Sequence, residues 1–244
     1  MKEGVVLYVN EVYGPVKQGE GKSAGLDVMF IRLGGCNLAC VWCDTPYTWN
    51  WIGTKFVHPE KFDPRKEVHG MSAEEVFAKL VELSPTTKSV VISGGEPLLQ
   101  QNALVSLVTI LRQNGYWVEV ETNGTQVPKG GFIALVNQFN CSPKLANSGP
   151  DNPLAKREIP LALQTLAGLP ITTFKFVITS DEDLREVTAL TQKYSMRNVF
   201  LMPEGRTKEE QLRNQDGVRK LCQDYGFNFS PRLHVLEFGN KRGV

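Results

Sequence analysis

Short runs of β-branched and aliphatic residues alternate along the chain with longer stretches whose apolar positions recur every three or four residues. Val5–Val9 and Val28–Leu33 predict strands. Ser72–Leu83 predicts a helix: Ser72 and Glu75 have capping-box spacing, and Val76, Leu80 and Leu83 form its apolar stripe. Val90–Ile92 predicts a short buried strand, followed by a glycine turn and a helix from Pro97 to Asn114 with Gly115 as its cap. Tyr116–Val120 predicts a further strand, closed by an Asn123-Gly124 turn. Beyond it the pattern predicts a strand at Thr173–Ile178, a helix at Asp181–Tyr194 capped by Ser180, and a strand at Asn198–Met202. A last helix opens on a second capping box, Thr207 with Glu210, and ends near Tyr225-Gly226.

Strands that alternate with helices form βαβ units around a parallel sheet, so the fold class is α/β, with about six βα units. No repeat, low-complexity tract or linker divides residues 1–244, which read as a single domain. Parallel sheets carry their chemistry at the carboxyl ends of the strands, whether the sheet is open or closed into a barrel. Three of the five cysteines, Cys36, Cys40 and Cys43, follow the strand ending at Leu33 and fall at that end.

Composition narrows the function classes. Lys and Arg total 27 and Asp and Glu 26, a net charge of +1, which excludes nucleic-acid binding by bulk electrostatics. The longest charge-free run, Ile159 to Phe174, is broken by Pro160, Gly168 and Pro170 and is too short to span a bilayer. Met1-Lys2-Glu3-Gly4 leads into no apolar signal core, so a cytoplasmic location without a membrane partner is expected. An odd number of cysteines in a chain this long does not describe a disulfide framework.

Cys36, Cys40 and Cys43 stand at i, i+4 and i+7, where they can converge on a small object. Three thiolates leave an ordinary four-ligand site incomplete. One reading is a structural zinc that takes His58, His69 or His234 as fourth ligand, although none of them has zinc-finger spacing. The better fit is a 4Fe–4S cluster with one iron open to a small molecule. Cys141 and Cys222 stand alone and read as packing residues.

Cys-x3-Cys-x2-Cys with Trp42 before the last cysteine resembles the radical S-adenosylmethionine superfamily. Ile92-Ser93-Gly94-Gly95-Glu96-Pro97, between a strand and a helix, is similar to the superfamily's GGEP turn; by itself it could be only a tight turn with Pro97 at the first helical position. The resemblance implies a partial (βα)6 barrel. It also implies a 4Fe–4S cluster whose open iron chelates S-adenosylmethionine and, on electron transfer, cleaves it to a 5′-deoxyadenosyl radical. In this turn two glycines let a ligand approach the backbone, and Glu96 supplies a carboxylate for the ligand's ammonium.

More specific stretches resemble the 7-carboxy-7-deazaguanine synthase family: Tyr13 to Gly21 with its Gln18-Gly19-Glu20-Gly21, Phe30 to Cys36, Cys43-Asp44-Thr45, and Gly239 to Val244. That family implies a cytoplasmic homodimeric lyase, using Mg²⁺, that contracts the ring of 6-carboxytetrahydropterin to 7-carboxy-7-deazaguanine with loss of ammonia, on the route to queuosine. A flavodoxin or ferredoxin is the implied electron donor. By position, Lys17, Gln18, Gly19 and Glu20 match the segment around the pterin, Arg32 the arginine on its carboxylate, Ser93 a substrate hydroxyl, and Val244 a terminal residue that reaches substrate. Thr45 matches the Mg²⁺ ligand, with Asp44 as the competing donor. Gly94, Gly95, Glu96, Glu121, Asn123, Ser142, Pro143, Lys144, Met202 and Glu204 match the S-adenosylmethionine segments, with Met202 where some members have glutamine. Two alternatives remain: a radical activating enzyme acting on a protein partner, which needs neither Gln18–Gly21 nor Arg32, and a metal-stabilised binding module, which has no use for Gly94–Pro97.

Overall fold

The computed structural model describes residues 5–54, 58 and 60–244, so the reading of Met1–Gly4 lies outside them. Strands β1 (Leu7–Lys17), β2 (Asp27–Leu33), β3 (His69–Met71), β4 (Ser89–Gly94), β5 (Trp117–Thr122), β6 (Gln138–Cys141), β7 (Thr172–Ile178), β8 (Val199–Pro203) and β9 (Asn228–Phe229) form one sheet in the order β3-β1-β2-β4-β5-β6-β7-β8-β9. Every neighbouring pair from β2 to β9 is parallel, while β1 and β3 add antiparallel at one edge. Six crossovers join these seven parallel strands, the number the sequence pattern predicts. The sheet curls into a partial (βα)6 barrel: Gln18, just past β1, reaches Glu119 and Glu121 on β5, and Glu20 reaches Lys175 on β7.

The helices are α1 (Pro64–Glu67), α2 (Ala73–Leu83), α3 (Gln101–Gln113), α4 (Gly130–Ile133), α5 (Leu154–Arg157), α6 (Pro160–Gly168), α7 (Asp183–Tyr194), α8 (Lys208–Tyr225) and α9 (Leu233–Phe238). Both capping boxes form: Ser72 with Glu75 opens α2, and Thr207 with Glu210 opens α8, which ends at Gly226 with φ 74°. Alternation along each strand divides the sheet into two faces. Val90, Ile92, Val118, Val120, Phe139, Phe174 and Phe176 point outward, into a core shared with Val76 and Leu80 of α2 and Leu104, Leu107 and Leu111 of α3. The alternate positions, among them Arg32, Ser93, Glu119, Glu121, Asn140, Lys175 and Met202, face the lumen. Register sets them side by side: Arg32 lies opposite Ser93, and Glu121 opposite Asn140.

Several expectations are corrected. The first strand starts at Leu7 rather than Val5 and continues to Lys17, through a register shift between Tyr13 and Val16. Its polar outward positions and Gly14-Pro15 conceal the second half, which pairs only at the barrel edge. Leu83, the third member of the α2 stripe, closes the helix and is exposed. The helix expected from Pro97 begins as a 3-10 turn, Pro97–Gln100, and Asn114 is its C-cap, followed by Gly115 at φ 77°. The last strand before α8 is Val199–Pro203, because Asn198 has a left-handed φ of 53°.

Ser180 does not cap α7. Asp183 turns its carboxylate back instead: Oδ2 accepts Thr179 N (2.7 Å), Thr179 Oγ1 (2.9 Å), Ser180 N (3.1 Å) and Asn147 Nδ2 (2.8 Å). Asp183→Ala therefore strands several donors and should cost about 2 kcal/mol, whereas Ser180→Ala should change stability by less than about 0.5 kcal/mol. Urea unfolding of the two variants checks this, and equal losses would restore Ser180 as the cap.

Candidate active site at the open end of the barrel

The loop after β2 is fixed by backbone contacts that only glycine permits. A Cβ on Gly95 would stand 1.9 Å from Gly35 O and 2.9 Å from Cys36 N, and one on Gly94 (φ 134°) would stand 2.2 Å from Leu33 O. In their absence Gly95 N donates to Leu33 O (3.0 Å) and Glu96 N to Gly35 O (2.8 Å), which joins the GGEP turn to the first cysteine.

Each cysteine sulfur meets an N–H donor: Leu38 N reaches Cys36 (3.4 Å), Asn152 Nδ2 reaches Cys40 (3.3 Å) and Trp49 Nε1 reaches Cys43 (3.3 Å). Burial pushes the Cys36 and Cys40 thiols up to about 12 and raises Cys43 as well. Donors aimed at sulfur suit thiolates that a metal keeps deprotonated. A single tetrahedral zinc holds its sulfurs about 3.8 Å apart, whereas the three cysteine sulfurs do not all lie within 4.8 Å of one another; among the described residues the one set of three or more His, Cys, Asp or Glu ligand atoms that does is Glu20, Asp44 and His234. His58, meanwhile, places Nε2 3.1 Å from Cys40 O, a backbone contact. The donor set fits a three-cysteine iron–sulfur cluster.

The three cysteines line one cavity that opens to solvent. Lys17, Gln18, Gly19, Glu20, Arg32, Thr45, Ser93, Gly94, Gly95, Glu121, Asn123, Ser142, Lys144, Met202, Glu204 and Val244 line it too. Two candidates do not. Pro143 is buried beside the wall. Glu96 is 0% exposed, and its carboxylate accepts Leu98 N (2.9 Å), Thr122 Oγ1 (2.8 Å) and Asn123 N (2.7 Å). The carboxylate assigned above to a ligand's ammonium is instead a brace between the GGEP turn and the end of β5.

Arg32 donates from Nη2 to Tyr13 OH (2.7 Å) and lies 3.3 Å from Glu11, and Ser93 Oγ donates to Glu121 (2.7 Å). Lys17, by contrast, sits at the rim, paired with Asp27 at 2.9 Å and largely exposed. The C-terminal tail is held over the cavity by Arg242, which donates to Glu67 (2.8 Å) and stacks 3.7 Å from the centre of the Tyr47 ring. Cys141 and Cys222 pack in the core, as expected.

Sequence reading missed Glu119, Asn140, Lys175 and Arg232. Lys175, 5% exposed, pairs with Glu20; Arg232, 6% exposed, pairs with both Glu20 and Asp44. Burial works to raise the carboxyls of Glu20 and Asp44, but the nearby cations outweigh it and hold both below their usual range. Glu20 and Asp44 are thus already balanced by Lys175 and Arg232 in an ion-pair network, with His234, whose pKa burial lowers, 3.8 Å from Glu20. Glu119 accepts Ser23 Oγ (2.6 Å), Gln18 Nε2 (3.3 Å) and Asn140, and burial first, then the Glu121 charge, pushes it up to about 7. Period two carries a signal for these residues: a lysine inside Thr173–Ile178, and acids at alternate positions of Trp117–Thr122, must face a polar lumen.

Residues 30–135 match the Radical SAM superfamily. Together with the partial barrel and the three-cysteine loop beside a GGEP turn, this makes the protein a radical S-adenosylmethionine protein, with a 4Fe–4S cluster and S-adenosylmethionine as cofactors. The chain is 35% identical to the 7-carboxy-7-deazaguanine synthase of Pyrobaculum aerophilum, over 93% of this chain and 92% of that one. It is also 35% identical to the protein of that name from Halobacterium salinarum, over 96% and 91%. It belongs to the 7-carboxy-7-deazaguanine synthase family. In fold it resembles the crystal structure of QueE from Escherichia coli, with a TM-score of 0.69 at 24% identity over 94% of this chain and 95% of that one.

Gly95→Ala should displace the cysteine loop and lower iron from about four per chain to a small fraction of that after anaerobic reconstitution; full iron loading would show that the loop yields without cost. Glu119 gives a pH test. Its carboxyl, raised from 4.5 to about 7, keeps a proton in the folded chain that the unfolded chain has released between those values. The stability it contributes therefore falls as pH rises through that window and stays low above it. Glu119→Gln, which stands in for the protonated acid, should gain on the wild type as pH rises from about 5 to about 8 in urea titrations; a pH-independent difference would contradict the assignment.

Proposed function

We propose that the protein converts 6-carboxytetrahydropterin to 7-carboxy-7-deazaguanine with loss of ammonia. The product is the substrate less one ammonia, so the change is redox-neutral and the enzyme acts as a lyase. The observation that carries this reading is the shared cavity: Arg32, in register with Ser93, faces the same space as the three cysteines, in a chain of this family. Bound at the open end, the cluster and S-adenosylmethionine supply one-electron, hydrogen-abstracting chemistry.

The chain's own groups hold the reactants. Arg32 stays cationic and offers its fork to the substrate carboxylate. Gln18, Gly19 and Glu20 form the floor, and Ser93 and Glu121 form the adjoining wall. Gly95, Asn123, Ser142, Lys144, Met202 and Glu204 line the cofactor side, with Lys144 over the Trp42 ring at 5.3 Å. Thr45 Oγ1, 3.7 Å from Cys43 Sγ, would give Mg²⁺ a hard oxygen. Asp44, the other donor considered, is engaged by Arg232. Val244 and the tail held by Arg242 exclude water from above. No helix among the described residues is long and apolar enough to cross a membrane. We place the enzyme in the cytoplasm as a homodimer reduced by a flavodoxin or ferredoxin. Action on a protein partner fits poorly with a cavity crossed by Gln18–Gly21 and roofed by the tail.

Anaerobic incubation with reductant, S-adenosylmethionine, Mg²⁺ and 6-carboxytetrahydropterin should yield 7-carboxy-7-deazaguanine. 5′-Deoxyadenosine alone, with the pterin unchanged, would refute the substrate and leave the cofactors standing. Arg32→Ala should raise KM for the pterin by about 100-fold with the iron content unchanged; iron loss in that variant would assign Arg32 a structural role.

A further inference from the structure

Arg232 is the N-cap residue of α9, far in sequence from the cysteine loop and the Gln18–Gly21 segment, yet it lies on the cavity wall and is 6% exposed. Its guanidinium ties three segments together. Nε donates to Glu20 Oε1 (2.9 Å), Nη1 donates to Gly205 O (2.6 Å), and Nη2 donates to Asp44 Oδ2. Glu20 belongs to the segment after β1 that floors the substrate space, and Asp44 stands between Cys43 and Thr45 on the cysteine loop. The two carboxylates each bring an oxygen within 4.8 Å of the other's. Without a cation between them, two half-buried negative charges at that separation repel and push the segments apart.

We propose that Arg232 is a positioning residue for the reaction: it clamps the Gln18–Gly19–Glu20 segment to the cysteine loop and so fixes where the substrate lies relative to the cluster-bound cofactor. The proposal rests on the function proposed above. Arginine suits the task because one planar fork meets three acceptors in different directions, which a single ammonium does less well. Lys175 holds the other oxygen of Glu20 from β7. Glu20 is therefore fixed to the barrel wall by Lys175 and to the cysteine loop by Arg232, and only the second tie relates the floor to the cluster. A displacement of about 1 Å at such a point is enough to cost about 100-fold in rate.

The test uses the full-length enzyme, reconstituted anaerobically, as wild type, Arg232→Lys, Arg232→Gln, and Arg232→Gln with Asp44→Asn. Iron content, the visible spectrum, product, and 5′-deoxyadenosine released per product are measured. The Arg232 single variants should keep wild-type iron and cofactor cleavage, lose about 100-fold in product formation, and release 5′-deoxyadenosine in excess over product, because cleavage goes on with the substrate misplaced. Arg232→Lys should fall between wild type and Arg232→Gln. Asp44→Asn in the Arg232→Gln background should recover part of the coupling, since one of the two opposed charges is gone. Parallel loss of iron, 5′-deoxyadenosine and product would overturn the proposal in favour of simple structural support, as would a wild-type ratio in Arg232→Gln. If Arg232→Gln does not fold, Arg232→Lys carries the same ratio test. A wild type that cleaves the cofactor and makes no carboxydeazaguanine would instead refute the proposed function.

Discussion

A carboxylate buried in the barrel and held between two buried cations is the interaction on which the rest of the site depends. Glu20 lies on a loop that enters the lumen, where Gln18 and Ser23 also reach Glu119. Lys175 from β7 and Arg232 before α9 draw it in, and together they keep it ionised against the cost of burial. Breaking a buried pair by removing one partner costs about 3–5 kcal/mol, because the other charge is left unmatched. The loop that carries Glu20 therefore sits firmly, and with it Gln18, whose amide reaches both Glu119 and Glu121. The loop is positioned by charge and polar contacts rather than by apolar packing.

A second constraint acts at the carboxyl ends of the strands and is purely steric. Gly94 and Gly95 let the end of β4 lie directly on the backbone of Leu33 and Gly35, and Glu96 ties the same turn to Thr122 at the end of β5 and to Asn123 just beyond it. Asn123 then donates to Asn37 (3.0 Å), inside the cysteine loop. Three adjacent strand ends are thereby joined around the cysteines before any metal is considered. The motif's glutamate acts on this brace, accepting from Leu98 N, Thr122 Oγ1 and Asn123 N, and its glycines serve the protein backbone.

Much of this was legible in the sequence, and what was missed has a common cause. The capping boxes at Ser72 and Thr207, the parallel alternation and the cysteine spacing are local signals, and local hydrogen bonds and periodicity fix them. Glu96 was misread because a carboxylate beside two glycines looks available until the three donors around it are seen. Arg232 and Glu20 are paired across more than two hundred residues, and no window of sequence contains both. Lys175 is the instructive case. Its strand, Thr172–Ile178, is buried throughout, so a lysine in it could only face a polar interior. That inference needed nothing beyond period two.

The near-neutral total charge of the chain says little about how an anionic substrate is received, because the local arrangement around Arg32 decides it. Glu11 stands 3.3 Å from Arg32 and 3.7 Å from Arg242, so one carboxylate serves the arginine in the lumen and the arginine of the C-terminal tail. Arg32 Nε is buried without an aligned acceptor, and Glu11 Oε1 is buried without an aligned donor. An unaligned pair in a dry site is an incomplete interaction: Arg32 is neutralised in part but not satisfied. Arg32 therefore keeps an N–H without an acceptor on the lumen side, while the same Glu11 that partly neutralises it also stands beside the arginine of the tail, so the lumen and the C-terminal segment share one acidic side chain.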